Sequence, residues 1–127
     1  MKRVLIVDDT IRALRDAESA VKSLGYETVT ARSAAEGLNI LLDGGIDLAI
    51  IDYGMPQTDG IQMVGKMRAN KDQTPVIICS TLIPEMSRNI AAIFGVRDYI
   101  EKDLRSERAR KAIVRILGEA KTQEGET

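Results

Sequence analysis

Three acidic side chains stand where two short apolar runs stop. Asp8 and Asp9 follow Val4-Leu5-Ile6-Val7, and Asp52 follows Leu48-Ala49-Ile50-Ile51. Continuous runs of this length, rich in Val and Ile, read as strands covered on both faces, and the carboxyl ends of such strands form the ligand-binding edge of an open parallel sheet. If the two strands are neighbours, the three carboxylates converge and repel one another unless a cation sits among them. Hard oxygen donors in an incomplete set suit Mg²⁺ that keeps several waters. Lys102 closes the run Tyr99-Ile100-Glu101-Lys102, and Ser80 follows Val76-Ile77-Ile78-Cys79, so the same edge gains one cation and one hydroxyl. Such a set suits a transferring phosphoryl group, for which positioning and charge neutralisation supply most of the catalysis. Taken singly, each residue has an ordinary reading: Asp8 or Asp9 as a helix cap, Lys102 as a solvated lysine, Ser80 as a turn residue.

The elements that must position these groups are legible in the periodicity. Strands are expected at 4–7, 27–31, 48–51, 76–79 and 97–100. Between and after them apolar residues recur at helical spacing: Leu14, Ala17, Val21 and Leu24; Leu38, Leu41 and Leu42; Ile61, Val64 and Met67; Met86, Ile90, Ile93 and Phe94; Ala109, Ala112, Ile113, Ile116 and Leu117. Gly25 ends the first helix, Ser33-Ala34-Ala35-Glu36 reads as a capping box for the second, and Gly44-Gly45 closes it. Five strands alternating with five helices predict a doubly wound α/β sheet with helices on both faces. Residues 1–121 are expected to form one domain and residues 122–127 a polar tail.

Composition narrows the function. A chain of 127 residues supports one core. Eighteen basic against nineteen acidic side chains give a net charge of -1, with no surplus to attract nucleic acid or an anionic membrane. Residues 1–60 carry 6 basic and 10 acidic groups, a net of -4, and residues 61–127 carry 12 and 9, a net of +3. Histidine is absent, which removes the commonest general base and zinc ligand. The single cysteine, Cys79, lies in an apolar run and reads as a small buried side chain in a reducing, cytoplasmic setting. The first apolar stretch is cut off by Asp8 and Asp9, too short for a signal segment or a membrane span. Tyr26, Tyr53, Phe94 and Tyr99 are too scattered for a nucleic-acid stacking platform.

From residue 3 to about residue 117 the sequence resembles the receiver domain of two-component response regulators, the CheY-like proteins. The resemblance rests on Val4-Leu5-Ile6-Val7-Asp8-Asp9, on Leu48-Ala49-Ile50-Ile51-Asp52-Tyr53-Gly54-Met55-Pro56 with Asp59-Gly60, on Pro75-Val76-Ile77-Ile78-Cys79-Ser80, and on Gly95-Val96-Arg97-Asp98-Tyr99-Ile100-Glu101-Lys102. It implies a flavodoxin-like sheet of strand order 2-1-3-4-5 and a phosphoprotein role in a phosphorelay. By the same resemblance Asp52 accepts a phosphoryl group from a histidine on a sensor kinase or a histidine phosphotransfer protein. The resemblance also implies that Asp8, Asp9 and Asp52 hold Mg²⁺ or Mn²⁺ together with the backbone carbonyl of Gly54. Lys102 pairs with the phosphoryl group, and Ser80 and Tyr99 carry the switch. The face made by the fourth helix, fifth strand and fifth helix would bind a downstream target or a second copy. The missing histidine then belongs to the partner.

Two positions depart from the family pattern. Asp103 follows Lys102 where proline is usual, so a trans peptide is expected, because a cis bond before a non-proline residue costs about 2.5–4 kcal/mol. Asp103 could cap the last helix or draw Lys102 away. Thr81 replaces a small residue after Ser80, and Leu82, Ile83 and Pro84 make the next loop unusually apolar. The last helix is basic, with Arg105, Arg108, Arg110, Lys111 and Arg115, and reads first as a solvated face of mixed charge. Two other functions fit parts of the pattern: a receiver-like interaction module that works without phosphorylation, and a Mg²⁺-dependent phosphohydrolase with an aspartyl nucleophile. The second lacks the Asp-x-Asp pattern on the first strand and the length for a cap insertion.

Overall fold

The computed structural model of the chain describes residues 1–81 and 84–126, with side chains to residue 118. Strand and helix alternate in the order β1 (Arg3–Val7), α1 (Ile11–Lys22), β2 (Glu27–Ala31), α2 (Ala34–Leu42), β3 (Leu48–Asp52), α3 (Gly60–Ala69), β4 (Val76–Cys79), α4 (Glu85–Ile93), β5 (Asp98–Ile100) and α5 (Glu107–Glu126). All four pairings are parallel and the sheet order is β2-β1-β3-β4-β5, as the resemblance implies.

The three continuous apolar runs become the three inner strands, and every residue of β3 and β4 is buried. Successive side chains on a strand face opposite ways, so each run supplies two cores. Val4, Ile6, Ile50 and Ile77 pack under α1 and α5 against Leu14, Val21, Ile113 and Leu117. Leu5, Val7, Ile51 and Ile78 pack on the other face against Leu41, Met63, Met67 and Ala91 of α2, α3 and α4. Each fully buried Leu, Ile or Met contributes roughly 1.5–3 kcal/mol, so the inner strands are the most costly part of the chain to displace.

The strand ends differ slightly from the expected ones. β1 starts at Arg3, β3 runs through Asp52, and β5 starts at Asp98, although the Arg97 N–H still donates to the Val76 carbonyl at 2.8 Å. Gly25 and Gly44, with φ of 91° and 77°, turn the chain out of α1 and α2. Ser33 caps α2 by accepting from the Glu36 N–H at 3.1 Å. The Glu36 carboxylate reaches back to the Arg32 N–H, also at 3.1 Å, so the expected box closes one residue early. Helical backbone continues through residues 122–126, because Gln and Glu sustain a helix and no breaker but Gly125 intervenes. Thr127, like Leu82 and Ile83, lies outside the described residues.

Candidate functional site at the carboxyl edge of the sheet

Because β1 and β3 are adjacent, with Val7 opposite Ile51, the residues that follow them share one edge. Asp8 is 6% exposed, Asp52 is 4% exposed, and Asp9 is half-buried. One carboxylate oxygen from each of the three lies within 4.8 Å of the others, which is the convergence the spacing predicts. Lys102, just past β5, places its ammonium 3.2 Å from Asp8 Oδ2 and 3.3 Å from Asp52 Oδ2. The other Asp8 oxygen accepts from the Thr10 N–H at 2.9 Å, so Asp8 both shapes the entry to α1 and faces the cluster. The bond forms a turn ahead of the helix rather than a cap, since Thr10, two residues on, is the N-cap of α1.

Close packing fixes the backbone that carries Asp52. The Tyr53 N–H donates to the Cys79 carbonyl at 3.0 Å and the Gly60 N–H to the Tyr53 carbonyl at 3.0 Å. A Cβ on Gly60 would lie 2.6 Å from the Asp52 carbonyl oxygen, a distance only glycine avoids. Gly60 is therefore a positioning residue that reading side-chain chemistry overlooks. Its signal was the Asp59-Gly60 pair: Asp59 and Gln62 form a full reciprocal capping box at the start of α3, with bonds of 2.8 and 2.9 Å.

The electrostatics show a shortage of positive charge. Burial, with Asp8 beside it, pushes the Asp52 carboxyl above the usual carboxylate range, and Lys102 and the Gly54 N–H, 3.4 Å from Asp52 Oδ1, only partly oppose this. Burial pulls the Lys102 ammonium down, but Asp52 and Asp8 outweigh it and hold it above its ordinary value. Three carboxylates against one ammonium leave two negative charges uncompensated, and one divalent cation offsets them. The all-oxygen donor set fits a hard ion. A cavity of about 300 Å³ opens beside the cluster, with Asp8, Asp52, Lys102, Cys79, Arg12 and Arg105 in its wall. Burial pushes the Cys79 thiol up to about 12, so it stays protonated there.

Ser80 and Tyr99 lie in a neighbouring cleft with Thr81 and Arg88. Ser80 extends the sheet, its N–H donating to the Ile100 carbonyl at 3.0 Å. The half-buried Tyr99 donates its hydroxyl proton to the Arg88 carbonyl of α4 at 2.9 Å, with the Arg88 guanidinium 5.8 Å from its ring centre. Thr81 is exposed and Gly54 is exposed. Asp103 leaves Lys102 in place: its carboxylate accepts from the Arg105 N–H at 3.0 Å, while Ser106 caps α5 through the Ala109 N–H at 3.2 Å. Among the described residues every peptide bond is trans, including the one before Asp103. Arg105, expected on the last helix, lies in the turn before α5 and pairs with Asp16, and on the helix itself Arg108 and Arg115 pair with Asp98 and Lys111 with Glu107, so the basic charge is largely compensated locally.

Residues 4–114 match the response regulator receiver domain family. The chain belongs to that family. Receiver domains of two-component systems are signalling switches. The transcriptional regulatory protein PrrA of Mycobacterium tuberculosis is 33% identical over 128 residues, covering 98% of this chain and 55% of that protein. CpxR of Escherichia coli is 33% identical over 106 residues, covering 80% of this chain and 43% of that one. The chain thus spans about half the length of these curated relatives. Among solved structures, the chemotaxis protein CheY4 of Vibrio cholerae matches with a TM-score of 0.83 at 25% identity, covering 91% of this chain and 98% of that one. The response regulator TrrA of Thermotoga maritima, in complex with Mg²⁺-BeF, matches with a TM-score of 0.80 at 25% identity, covering 91% and 99%. No helix of this receiver domain, among the described residues, is long and apolar enough to cross a membrane.

Proposed function

We propose that this receiver domain works in the cytoplasm and takes a phosphoryl group onto Asp52 from a phosphohistidine on a sensor histidine kinase or histidine phosphotransfer protein, in a Mg²⁺- or Mn²⁺-dependent reaction. The observation that carries this reading is the buried Asp52 carboxylate held between Asp8 and Lys102, with both ammonium contacts at 3.2–3.3 Å. Asp8, Asp9, Asp52 and the Gly54 carbonyl would hold a divalent ion, which would supply charge neutralisation for the transferring group. An Asp52 oxygen attacks phosphorus, the P–N bond to the partner's imidazole breaks, and the imidazole nitrogen leaves with that electron pair. Asp52 is pre-positioned for attack by its strand end and by the Gly60 contact beneath it. Lys102 already faces the carboxylates and exchanges part of that pairing for a phosphoryl oxygen. The same modification adds acceptor oxygens for the Ser80 hydroxyl, and Tyr99 behind it follows, which alters the α4–β5–α5 face for a target or a second copy. Thr81, beside Ser80 and exposed, sets how easily water or a phosphatase reaches the acyl phosphate. The domain acts as a switch rather than a turnover enzyme.

The test is incubation with Mg²⁺ and acetyl phosphate followed by intact mass. One phosphoryl adduct per chain is expected, lost with chelator and in Asp52→Asn. Absence of an adduct in the wild type, with no beryllofluoride binding, overturns the reading in favour of a module that works unphosphorylated. Rapid release of phosphate from many esters would instead make it a hydrolase.

A further inference from the structure

α4 is held unlike any helix beside it. Of its residues only Ala91 is buried, Met86, Ile90 and Ile93 face solvent at 75%, 42% and 81% exposure, and its N-cap Pro84 makes no side-chain cap bond. Its C-terminal end is anchored, because Phe94 packs on Gly65 of α3 and the Phe94 carbonyl accepts from Arg68 Nε at 2.8 Å. Its first half is tied, among the described residues, by two tyrosine hydroxyls from opposite flanks. Tyr99 of β5 donates to the Arg88 carbonyl at 2.9 Å, and Tyr53 shares a hydrogen bond with Ser87 Oγ at 3.1 Å.

Tyr53 follows the phosphoacceptor directly. Its own backbone is clamped, by the Cys79 carbonyl on the N–H and by Gly60 under the Cα, while its side chain crosses to α4. Any change at the oxygens of Asp52 or at the Gly54 N–H, 3.4 Å from one of them, acts on the two peptide units that flank Tyr53. The side chain converts a small tilt of that clamped backbone into a larger displacement of its hydroxyl. We propose that Tyr53 and Ser87 form a second link from the Asp52 loop to α4, parallel to Ser80 and Tyr99, and that this link sets how far α4 responds when the site is occupied. Tyr53 is here a positioning residue: it acts on α4 and touches neither the donor nor the transferred group. The inference rests on the proposed use of Asp52, and it adds a route that does not pass through β4 or β5.

The experiment is amide hydrogen exchange of residues 85–93 in the full chain, with and without Mg²⁺ and beryllofluoride, in wild type, Tyr53→Phe, Ser87→Ala, the double variant and Ser87→Thr. Beryllofluoride occupancy is followed independently by fluorine NMR. Loss of one net hydrogen bond predicts about five-fold faster exchange of the first half of α4 in the free protein. Both single variants should still bind beryllofluoride, yet lose most of the bound-against-free difference in α4. The double variant should do no more than either single one, and Ser87→Thr should restore the response. An unchanged α4 difference in Tyr53→Phe, or additive effects of the two substitutions, overturns the link while leaving the function intact. Failure of the wild type to bind beryllofluoride overturns both.

Discussion

α3 and α4 are consecutive helices on the same face of the sheet, and they are held in opposite ways. α3 buries Gly60, Ile61, Met63, Val64 and Met67 and begins with a complete capping box. α4 buries Ala91 alone and begins without a side-chain cap. The first helix is part of the platform: its Gly60 N–H bonds to the Tyr53 carbonyl and its backbone runs too close to the Asp52 carbonyl for any Cβ, which ties α3 to the segment carrying the carboxylate. The second has too little buried apolar area to be fixed by packing, and its position is left to a few directional bonds. An element with few buried contacts opens at lower free energy than one fixed by packing. On the proposed function, the chemistry would sit beside the well-packed helix and the readout beside the sparsely packed one.

Core truncation should break the comparison open most widely. Met67→Ala in α3, 1% exposed in the wild type, should cost about 2–5 kcal/mol, whereas Met86→Ala in α4 should stay within about 0.5 kcal/mol. Urea unfolding of both variants measures the difference, and equal costs would mean that α4 is as firmly packed as α3. Next in size is the response to metal. With Mg²⁺ at ten times its dissociation constant, the wild type should gain about 1.4 kcal/mol of stability. Asp8→Asn should lose most of that gain, as read by thermal melting with and without chelator. A third difference lies at the helix starts: Asp59→Ala removes the side-chain half of the α3 box and should cost about 1 kcal/mol, while Pro84→Ala at the uncapped α4 should change little. The smallest effect concerns Cys79. Its thiol, pushed up to about 12 by burial, should react with a disulfide reagent at neutral pH only at the rate of unfolding, and fast labelling of the native chain would show the β4 end to be open.

How much of this was legible in the sequence follows from which forces were local. The inner strands announced themselves because both their faces are covered, so Leu48 to Ile51 are apolar without interruption. Asp8, Asp9, Asp52 and Lys102 were legible because strand ends in a parallel sheet face one edge, and the cluster formed as the spacing predicts. Gly60 was harder, since its role is a distance to a backbone atom rather than any chemistry of its own. The competition of Asp103 for Lys102 was undecidable from sequence, because a two-residue turn to the Arg105 N–H and a pairing with the neighbouring ammonium both fit the same residues. The Tyr53–Ser87 contact was invisible for the same reason: the pair is 34 residues apart and depends on where α4 settles over the sheet. The basic residues around α5 read as a solvated face of mixed charge, and their acidic partners on α1, β5 and α5 itself agree with that reading, although the pairings with α1 and β5 could not be named before the fold placed them.

The central claim is that, of the three clustered carboxylates, Asp52 is the one that accepts the phosphoryl group. Borohydride reduction of the acetyl phosphate-treated, Mg²⁺-loaded protein converts an aspartyl phosphate to homoserine, and peptide mass spectrometry locates it. The account predicts homoserine at position 52 alone. Homoserine at position 8 or 9, or at none of the three, would contradict it.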